Sequence, residues 1–421
     1  MGNTPNIRFK GFTDDWEQRK LSEMLVSLQN NTLSRANLTN ETGVAKNVHY
    51  GDVLIKFGEV LDISKEKLPM ILDESVLTKY KASFLHNGDV IVADTAEDST
   101  VGKCSEIAGL NDEIVLSGLH TIPYRPVENF ASGYLGYYLN SDTYHNQLLP
   151  LMQGIKVTSI SKSVMQDTDI FYPKSIEEQG KISNYLQSLD HLITLHQRKC
   201  DEIKKLKKFM LQKMFPKKDA KKPEIRFAGF TDDWEQRKVL DLLQERNEQA
   251  PMSEEYPLMA FIANQGVAPK GERYDRSALV NDEKGKKYKR TEFGDFIYSS
   301  NNLETGSIGL NKYGKACISP VYSIFKPTGI VDLNFLERRF LRKDFINEMV
   351  KWRQGVVYGQ WKIHETNFLN INVIVPNIDE QKRIGDFLDS LDHLITLHQR
   401  KCDELKELKK YMLQNMFPQK G

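Results

Sequence analysis

The stretch that decides the fold occurs twice in the chain. Residues 188–218 read SLDHLITLHQRKCDEIKKLKKFMLQKMFPKK, and residues 390–420 read SLDHLITLHQRKCDELKELKKYMLQNMFPQK. Within both copies, and in the residues just before them, apolar side chains recur at alternating intervals of four and three residues, which is the heptad pattern of a coiled-coil helix. We therefore predict two long helices of about 36 residues and about 54 Å. Each helix is expected to begin near a Glu-Gln pair and to end before a proline.

The same apolar seam runs through both predicted helices. Its members are Leu186, Leu189, Ile193, Cys200 and Ile203 in the first copy and Leu388, Leu391, Ile395, Cys402 and Leu405 in the second. A histidine and a lysine interrupt each seam. We interpret His196 and His398 as residues that set the register or lie at the solvent edge rather than as metal ligands. The cysteines are expected to pack as small apolar groups. Two equivalent helices usually pair about a two-fold axis, so the sequence predicts an antiparallel coiled coil.

A second repeat gives the chain its domain plan. Residues 5–20 read PNIRFKGFTDDWEQRK and residues 223–238 read PEIRFAGFTDDWEQRK, with only two differences. The offset between these copies is 223 − 5 = 218 residues, whereas the helix copies are offset by 390 − 188 = 202 residues. The order is therefore repeated segment, variable block and long helix, twice, which is a pseudo-two-fold internal repeat. The variable blocks, about 21–172 and 239–375, differ in sequence but share a Gly-Asp turn at Gly88 and at Gly294, so we expect one common fold.

The length of 421 residues exceeds what one compact core usually holds. We predict an α+β protein with two mixed α/β domains joined by the two long helices of the coiled coil. The expected bounds are 1–175 for the first domain, 176–222 for the central helix and linker, 223–376 for the second domain and 377–421 for the C-terminal helix. Short strands are expected at Val53–Phe57, Asp89–Ala93, Phe296–Ser300 and Ile371–Val375, and helices at Ala131–Leu149 and Asn334–Arg353.

Composition excludes several classes of protein. The 58 basic and 57 acidic residues give a net charge of +1, so net charge alone gives no argument for nucleic-acid binding. The four cysteines form no CxxC pair, which argues against a zinc ribbon. The mean hydropathy is −0.50 and the first 20 residues are polar. We therefore expect a soluble cytoplasmic protein with no membrane span and no secretory leader.

Motifs of catalysis are missing from the sequence. There is no glycine-rich phosphate loop that ends in Gly-Lys-Ser/Thr, no HExxH and no GxSxG. His364 and Glu365 lack the second histidine that a zinc peptidase needs. The Pro-Pro-aromatic motif with which a methyltransferase grips a flipped base is also missing. We therefore predict no catalytic residue and no metal ligand, and interpret the chain as a protein that binds and organises.

Two polar loops in each variable block are candidates for DNA contact. They are 94–103 and 153–162 in the first block and 299–312 and 354–362 in the second, and a basic stretch at 270–290 adds to them. Hydroxyls, amides and lysines are the groups that contact base edges and phosphates. The alternative is that they are ordinary solvated loops, and the lysine run 204–208 is open to the same two interpretations. The candidate residues are Thr95, Ser99, Thr100, Lys103, Lys156, Thr158, Ser161, Lys162, Lys286, Lys287, Lys289, Arg290, Asn301, Asn302, Thr305, Ser307, Lys312, Tyr358, Gln360 and Lys362.

The duplicated plan resembles the specificity subunit of type I restriction–modification systems. The resemblance covers essentially the whole chain and rests on the IRF…GF…WEQRK segments and on the Pro…Glu-Gln…Ile…Leu…Leu-Asp…Ile helix entries. It implies that each variable block is a target recognition domain that reads one half of a bipartite, gapped and asymmetric site in double-stranded DNA. It also implies that the coiled coil sets the gap and docks two modification (methyltransferase) subunits. S-adenosylmethionine, ATP and Mg²⁺ would belong to those partners and to the restriction (endonuclease and translocase) subunits, with no cofactor in this chain.

Two other functions remain open at this point. One is a single-chain DNA methyltransferase or nuclease, against which the missing motifs argue. The other is a coiled-coil adaptor with no role on DNA, which the near-neutral charge allows. An adaptor, however, has no need of two divergent blocks between nearly identical flanking segments.

Overall fold

The computed structural model describes residues 4–217, 220–269, 286–356 and 360–418. It divides into two compact units, of which the first is Met1–Arg198 with Gln399–Gly421 and the second is Lys199–His398. Each unit therefore contains one variable block with its repeated segment, the first part of the long helix that follows the block, and the last part of the other long helix.

The first unit is built around a five-stranded sheet. The strands of the whole unit are β1 Glu17–Lys20, β2 Leu25–Ser27, β3 Leu38–Thr39, β4 Ala45–Val48, β5 Val60–Asp62, β6 Met70–Ile71, β7 Val90–Ala93, β8 Thr95–Ala96, β9 Cys104–Ala108, β10 Val115–Ser117, β11 Thr121–Pro126, β12 Thr158–Ser159 and β13 Asp169–Tyr172. Its helices are α1 Leu21–Met24, α2 Tyr50–Ile55, α3 Ser75–Lys79, α4 Tyr134–Leu139, α5 Asp142–Leu148, α6 Lys162–Gln166 and the first part of α7 Ile176–Lys213. The central sheet has the order β2-β11-β7-β9-β5, and a second sheet has the order β10-β4-β6-β3.

The second unit repeats the core of the first. Its strands are β14 Glu235–Lys238, β15 Leu243–Glu245, β16 Gln249–Ala250, β17 Ala260–Ile262, β18 Gly266–Ala268, β19 Tyr288–Thr291, β20 Phe296–Tyr298, β21 Ile308–Leu310, β22 Ala316–Ile318, β23 Ser323–Pro327, β24 Gln354–Val356, β25 Gln360–Lys362 and β26 Asn372–Val375. Its helices are α8 Val239–Leu242, α9 Leu333–Phe340, α10 Lys343–Val350, α11 Glu365–Leu369 and the first part of α12 Ile378–Asn415. The order β15-β23-β20-β21 matches β2-β11-β7-β9, so the expectation of one common fold is confirmed.

The shared Gly-Asp turn shows why the two cores match. Gly88 and Gly294 have φ of +89° and +86°, a backbone conformation that side chains disfavour. The carboxylate of Asp89 then accepts the backbone N–H of residue 86 at 2.8 Å, and that of Asp295 accepts the N–H of residue 292 at 2.7 Å. Each turn leads directly into a buried strand, β7 or β20.

Three of the predicted element assignments are wrong. Val53–Phe57, expected as a strand, lies mostly within the helix α2, because His49 caps that helix by accepting the N–H of Gly51 at 3.2 Å. The single helix expected over 131–149 is two helices, α4 and α5, because Ser141 ends one and caps the other. The helix expected over 334–353 is likewise split, into α9 and α10. The strands expected near residues 90, 296 and 372 are present.

The long helices form as the heptad pattern predicts. α7 and α12 each contain 38 residues. Among the seam residues, Leu186, Leu388, Cys200 and Cys402 have side chains that are at most 1% exposed. The residues described contain no helix long and apolar enough to cross a membrane.

Within each unit the two helical segments run antiparallel. In the first unit the thiol of Cys402 donates to the carbonyl of Ile193 at 4.0 Å, and in the second unit the thiol of Cys200 donates to the carbonyl of Ile395 at 3.8 Å. These two contacts are the same contact under the 202-residue offset of the repeat. The antiparallel pairing is therefore repeated with one register.

The repeated segments fasten each domain to the start of its own helix. The guanidinium of Arg8 binds both carboxylate oxygens of Glu178 at 2.6 and 2.9 Å, and Arg226 binds those of Glu380 at 2.6 and 2.6 Å. The carboxylates are 1% and 0% exposed. The Glu-Gln pair at each helix start is thus part of a buried bidentate ion pair, the strongest kind of charged hydrogen bond.

Candidate nucleic-acid interface

The structure brings the two predicted loops of the first unit together. Strand β8 of the loop 94–103 pairs with strand β12 of the loop 153–162, so that Thr158 lies opposite Ala96 and Ser159 opposite Thr95. The backbone N–H of residue 160 also donates to the carbonyl of residue 94 at 2.9 Å. Loops that are far apart in sequence therefore form one continuous surface.

The two predicted loops of the second unit also meet. The side-chain oxygen of Asn301 accepts the backbone N–H of Trp361 at 2.6 Å. The guanidinium of Arg353 binds both oxygens of Glu304, at 2.9 and 2.6 Å. The second loop begins there with the hairpin β24–β25. In both units the two predicted loops therefore contact each other, through paired strands in the first unit and through side chains in the second. We call the surface that they form the loop surface of each unit.

Many of the candidate residues lie exposed on these surfaces. The exposed ones are Ser99, Thr100, Lys156, Ser161, Lys162, Lys286, Lys287, Asn301, Asn302, Thr305, Lys312 and Gln360. Thr95, Thr158, Arg290 and Lys362 are half-buried. Tyr358 and most of the basic stretch 270–290 lie outside the described residues.

Three candidate residues are directed into the protein or buried. The ammonium of Lys103 donates to the carbonyl of Leu54 at 2.8 Å, and burial lowers the pKa of this lysine. Lys289 is 7% exposed, and its ammonium donates to a backbone carbonyl at 2.9 Å. Burial lowers the pKa of Lys289 in the same way. Ser307 is also buried at 7% exposure. These three residues hold the loops in place.

Several cations of the second unit have acidic partners. Lys312 pairs with Glu337 at 2.7 Å, and Lys362 pairs with Glu365 at 2.6 Å. Arg290 pairs with Glu248 at 2.6 Å, and its guanidinium also lies 4.4 Å from the centre of the Tyr256 ring. Such pairs reduce the positive potential that a phosphate backbone would meet.

Residues that the sequence did not single out complete the surfaces. His120, with φ of +56°, places its Nδ1 3.4 Å from Asp94 Oδ1 and 3.5 Å from the hydroxyl of Thr95. A cleft of about 490 Å³ lies alongside and is lined by residues 27–30, 94, 121–123 and 160–162. In the second unit Trp361 is 49% exposed beside Asn301. In a single sequence, nothing marks a lone histidine between two strands as part of this surface. A tryptophan in a polar loop, by contrast, is a recognisable signal of a contact surface.

No group of three or more His, Cys, Asp or Glu side chains within the described ranges could hold a metal ion. The seam cysteines Cys200 and Cys402 are each 1% exposed, which fits their interpretation as packing residues. Cys104 and Cys317 are also buried, and burial raises the pKa of both thiols and so disfavours the reactive thiolate.

A second repeated surface lies on the long helices. In the first unit Leu192, Leu195 and Tyr411 are 39%, 37% and 53% exposed. In the second unit their counterparts Leu394, Leu397 and Phe209, together with Leu206, are 38%, 43%, 47% and 42% exposed. Each of these residues immediately precedes a seam position, so they fall on one face of the helix pair. We call this face the apolar stripe of each unit.

Comparison with known proteins identifies the family. The sequence profile of the type I restriction modification DNA specificity domain matches residues 13–205 and 231–407. The chain is 24% identical over 419 residues to a protein of Methanocaldococcus jannaschii named as the type I restriction enzyme MjaX specificity subunit, covering 95% of this chain and 92% of that protein. It is 23% identical over 285 residues to the MjaVIII specificity subunit of the same organism, covering 62% of this chain and 64% of that protein.

A solved structure shows the same fold. The S subunit of the type I restriction–modification system of M. genitalium superposes with a TM-score of 0.58 at 14% identity, over 99% of this chain and 100% of that one. Each of the two stretches that the family profile matches contains one variable block and the start of the long helix that follows it. The chain therefore belongs to the type I restriction modification DNA specificity family and is a specificity subunit, not a catalytic subunit, of a type I restriction–modification system.

Proposed function

We propose that each unit reads one half of a bipartite, asymmetric and gapped site in double-stranded DNA. The observation that carries this proposal is the loop surface, which in both units is formed by two loops that contact each other but bears different side chains. A pair of related units suits a pair of related half-sites. Because the two loop surfaces differ, the two half-sites should differ as well.

The exposed polar residues divide into two roles on this proposal. Lys156 and Lys162 of the first unit, and Lys286 and Lys287 of the second, would contact phosphates and fix the position of the protein on the duplex. Ser161, Asn301 and Gln360 would contact base edges, since hydroxyl and amide groups supply both donors and acceptors. Among the remaining exposed candidates, the charged side chains would contact phosphates and the neutral polar side chains would contact base edges.

The long helices would have two tasks. A rigid helix pair of fixed register would hold the gap between half-sites constant. The apolar stripes would dock two modification subunits, one on each unit, because the stripe occurs twice with equivalent residues. Exposed apolar stripes of this kind mark protein interaction sites.

The chemistry would come from the partners. The modification subunits would bring S-adenosylmethionine and methylate adenine at N6, and the restriction subunits would bring ATP and Mg²⁺ for translocation and cleavage. Since the proposed target is genomic DNA, the chain would work in the cytoplasm.

The first test is a map of N6-methyladenine in cells that carry this chain and its modification subunit. The control is a strain that lacks only this chain. A gapped asymmetric motif that disappears in the control supports the proposal. An unchanged map, with an active modification subunit present, contradicts the proposal and favours the adaptor function.

A block exchange then tests which unit reads which half-site. Residues 21–172 are replaced by the corresponding block of a relative with a different motif. We expect one half-site of the methylated motif to change while the other half-site and the gap stay the same. A change in both half-sites would contradict the assignment of one half-site to each unit.

A further inference from the structure

The two long helices begin differently and then become identical. Residues 176–187 read IEEQGKISNYLQ and residues 378–389 read IDEQKRIGDFLD, so that 5 of 12 positions match. Residues 188–202 and 390–404 are the same at all 15 positions. The change from divergent to identical sequence falls inside a continuous helix, well after the variable block has ended. This position calls for a physical reason.

In the first unit a half-buried polar cluster joins the domain to the helices. The hydroxyl of Tyr137 donates to Asp190 at 2.6 Å, and the ammonium of Lys409 donates to Asp190 at 2.6 Å and to Glu59 at 2.8 Å. Burial disfavours the charge of Lys409, but the two carboxylates outweigh it and raise the pKa of this lysine. Gln187 lies three residues before Asp190 on the same helix and packs beside Gly133, where an added Cβ would lie 2.5 Å from its amide nitrogen.

The second unit has the same cluster with a different charge pattern. Lys207 pairs with Asp392, as Lys409 pairs with Asp190. Arg338 occupies the place of the tyrosine, and its guanidinium binds Asp392 at 2.6 Å and Asp389 at 2.7 Å. Asp389 stands at the position of Gln187 in the repeat. The helix therefore carries an extra carboxylate in the unit whose domain presents an arginine, and an amide in the unit whose domain presents a tyrosine.

A second pair of positions shows the same matching. Ala131 and Asp332 are equivalent, because their backbone N–H groups donate to the side chains of Gln179 and Gln381 at 2.9 and 3.0 Å. A Cβ on Gly385 would lie only 2.7 Å from the carboxylate of Asp332. That carboxylate caps α9 by accepting the N–H of Phe335 at 2.8 Å.

The equivalent place in the first unit tolerates a larger helix residue. The helix there carries a buried serine, Ser183, and the domain presents the smaller Ala131. The large residue is thus on the helix in one unit and on the domain in the other.

We propose that the recognition cassette of this chain extends into the long helix and ends at Gln187 in the first unit and at Asp389 in the second. The first twelve helix residues are matched to their own domain, and the interchangeable scaffold begins at Ser188 and Ser390. Ser183 with Gln187, and Gly385 with Asp389, are positioning residues that determine which domain a helix accepts. The statement that the cassette carries one DNA half-site rests on the proposed function. The match between a domain and the first twelve residues of its helix is a property of the folded chain.

A transplant within the chain tests the cassette boundary. In the short exchange, residues 239–377 replace 21–175, and in the long exchange residues 239–389 replace 21–187. The short exchange sets Ser183 against the capping carboxylate of the incoming domain and removes one carboxylate from its arginine. Thermal unfolding of the full-length proteins is followed by circular dichroism. We expect the long exchange to melt within about 2 °C of the wild type and the short exchange to melt about 3–6 °C below the long exchange.

Two substitutions sharpen this comparison. Adding Ser183→Gly and Gln187→Asp to the short exchange should restore at least half of the lost melting temperature. If the short and long exchanges melt together, or if these substitutions restore nothing while the long exchange folds, the proposal is overturned.

Point variants of the wild-type chain keep the test decisive if neither exchange folds. Gln187→Asp places a new carboxylate beside Asp190 without a matching cation, so it should lower the melting temperature. Adding Tyr137→Arg should bring it back, because the pair then reproduces the cluster of the second unit. The matched control is Asn184→Asp, which adds the same charge on the exposed side of the same helix and should leave the melting temperature unchanged. Additive effects of Gln187→Asp and Tyr137→Arg would overturn the proposal.

These measurements use no DNA, so they separate the cassette boundary from the proposed function. If the methylation map fails but the melting order holds, the boundary stands as a rule of folding. If the map succeeds, the rescued short exchange should methylate a motif with the same half-site at both ends, and a rescued melting temperature without that motif would contradict the use of the cassette for exchange.

Discussion

Removal of one apolar stripe should release one modification subunit and leave the other bound. The variant replaces Leu206, Phe209, Leu394 and Leu397 of the second unit by alanine, which preserves helix propensity. Their exposed fractions of 42%, 47%, 38% and 43% together amount to a little under two whole side chains. Since full burial of such a side chain contributes about 2 kcal/mol, covering the stripe contributes about 3 kcal/mol, and its loss should weaken that site by about 150-fold.

The assay measures stoichiometry as well as affinity. The chain is purified with its modification subunit, and the number of bound subunits is followed by native mass spectrometry during dilution. The wild type should retain two subunits over one concentration range, while the variant should lose one subunit at concentrations about 150-fold higher and retain the second. Replacing Leu192, Leu195 and Tyr411 in the first unit should give the mirror result.

The controls separate docking from folding. Val321 and Phe293 are 66% and 65% exposed in turns of the domain of the second unit, outside the long helices. Their replacement by alanine removes similar apolar surface and should not change the stoichiometry. Retention of two subunits with unchanged affinity by the stripe variant, at an unchanged melting temperature, would refute the docking role. Loss of both subunits would refute the assignment of one subunit to each unit.

Three further perturbations test other parts of the structure. Arg226→Met leaves the carboxylate of Glu380, which is 0% exposed, without its cation, and should lower the free energy of unfolding by about 3 kcal/mol in urea titrations; no change would contradict the anchoring role of this pair. Burial raises the pKa of Glu106 from 4.5 to about 7. The unfolded chain loses this proton at lower pH than the folded chain does, so the free energy of unfolding should fall by up to about 3 kcal/mol as pH rises from about 4.5 to about 7. Glu106→Gln should remove that part of the pH profile. An unaltered profile would contradict the assignment of this pH dependence to Glu106. Excision of one heptad from both helices, residues 194–200 and 396–402, shortens each by about 10 Å and should reduce the gap in the methylated motif by about three base pairs, whereas an unchanged gap would contradict the spacer role.

The long helices were predictable because their pattern is periodic and occurs twice. A seam of ten positions in each helix repeats with its polar interruptions, so local composition, period and repetition all indicate the same element. The variable blocks offered no such redundancy. Val53–Phe57 has the apolar character of a strand. In the structure, the cap from His49 and the burial of Val53 favour a helix instead. This cap depends on a single hydrogen bond, and a short stretch of sequence does not show whether that bond forms.

The candidate DNA surface was predictable as loops but not as individual residues. The pairing of β8 with β12 depends on a contact between residues about sixty positions apart, and no local pattern encodes it. The fate of each lysine depends on its neighbours in space. Lys103 and Lys156 occupy loops of similar composition, yet the first donates into the protein and the second is exposed. The sequence therefore locates the surface, and the structure selects the side chains that are free to contact DNA.

The balance of charge follows from the same selection. A protein that held DNA alone would need many unpaired cations along the phosphate backbone, because counterion release supplies most of the affinity. Here the cations Lys312, Lys362 and Arg290 near the loop surface of the second unit have acidic partners, and the whole chain has a net charge of +1. On the proposed function, the neutral polar groups of this surface would distinguish base sequences, and its paired cations would add little sequence-independent attraction. We therefore propose that the subunit depends on its modification partners for part of its affinity for DNA, which agrees with its near-neutral charge.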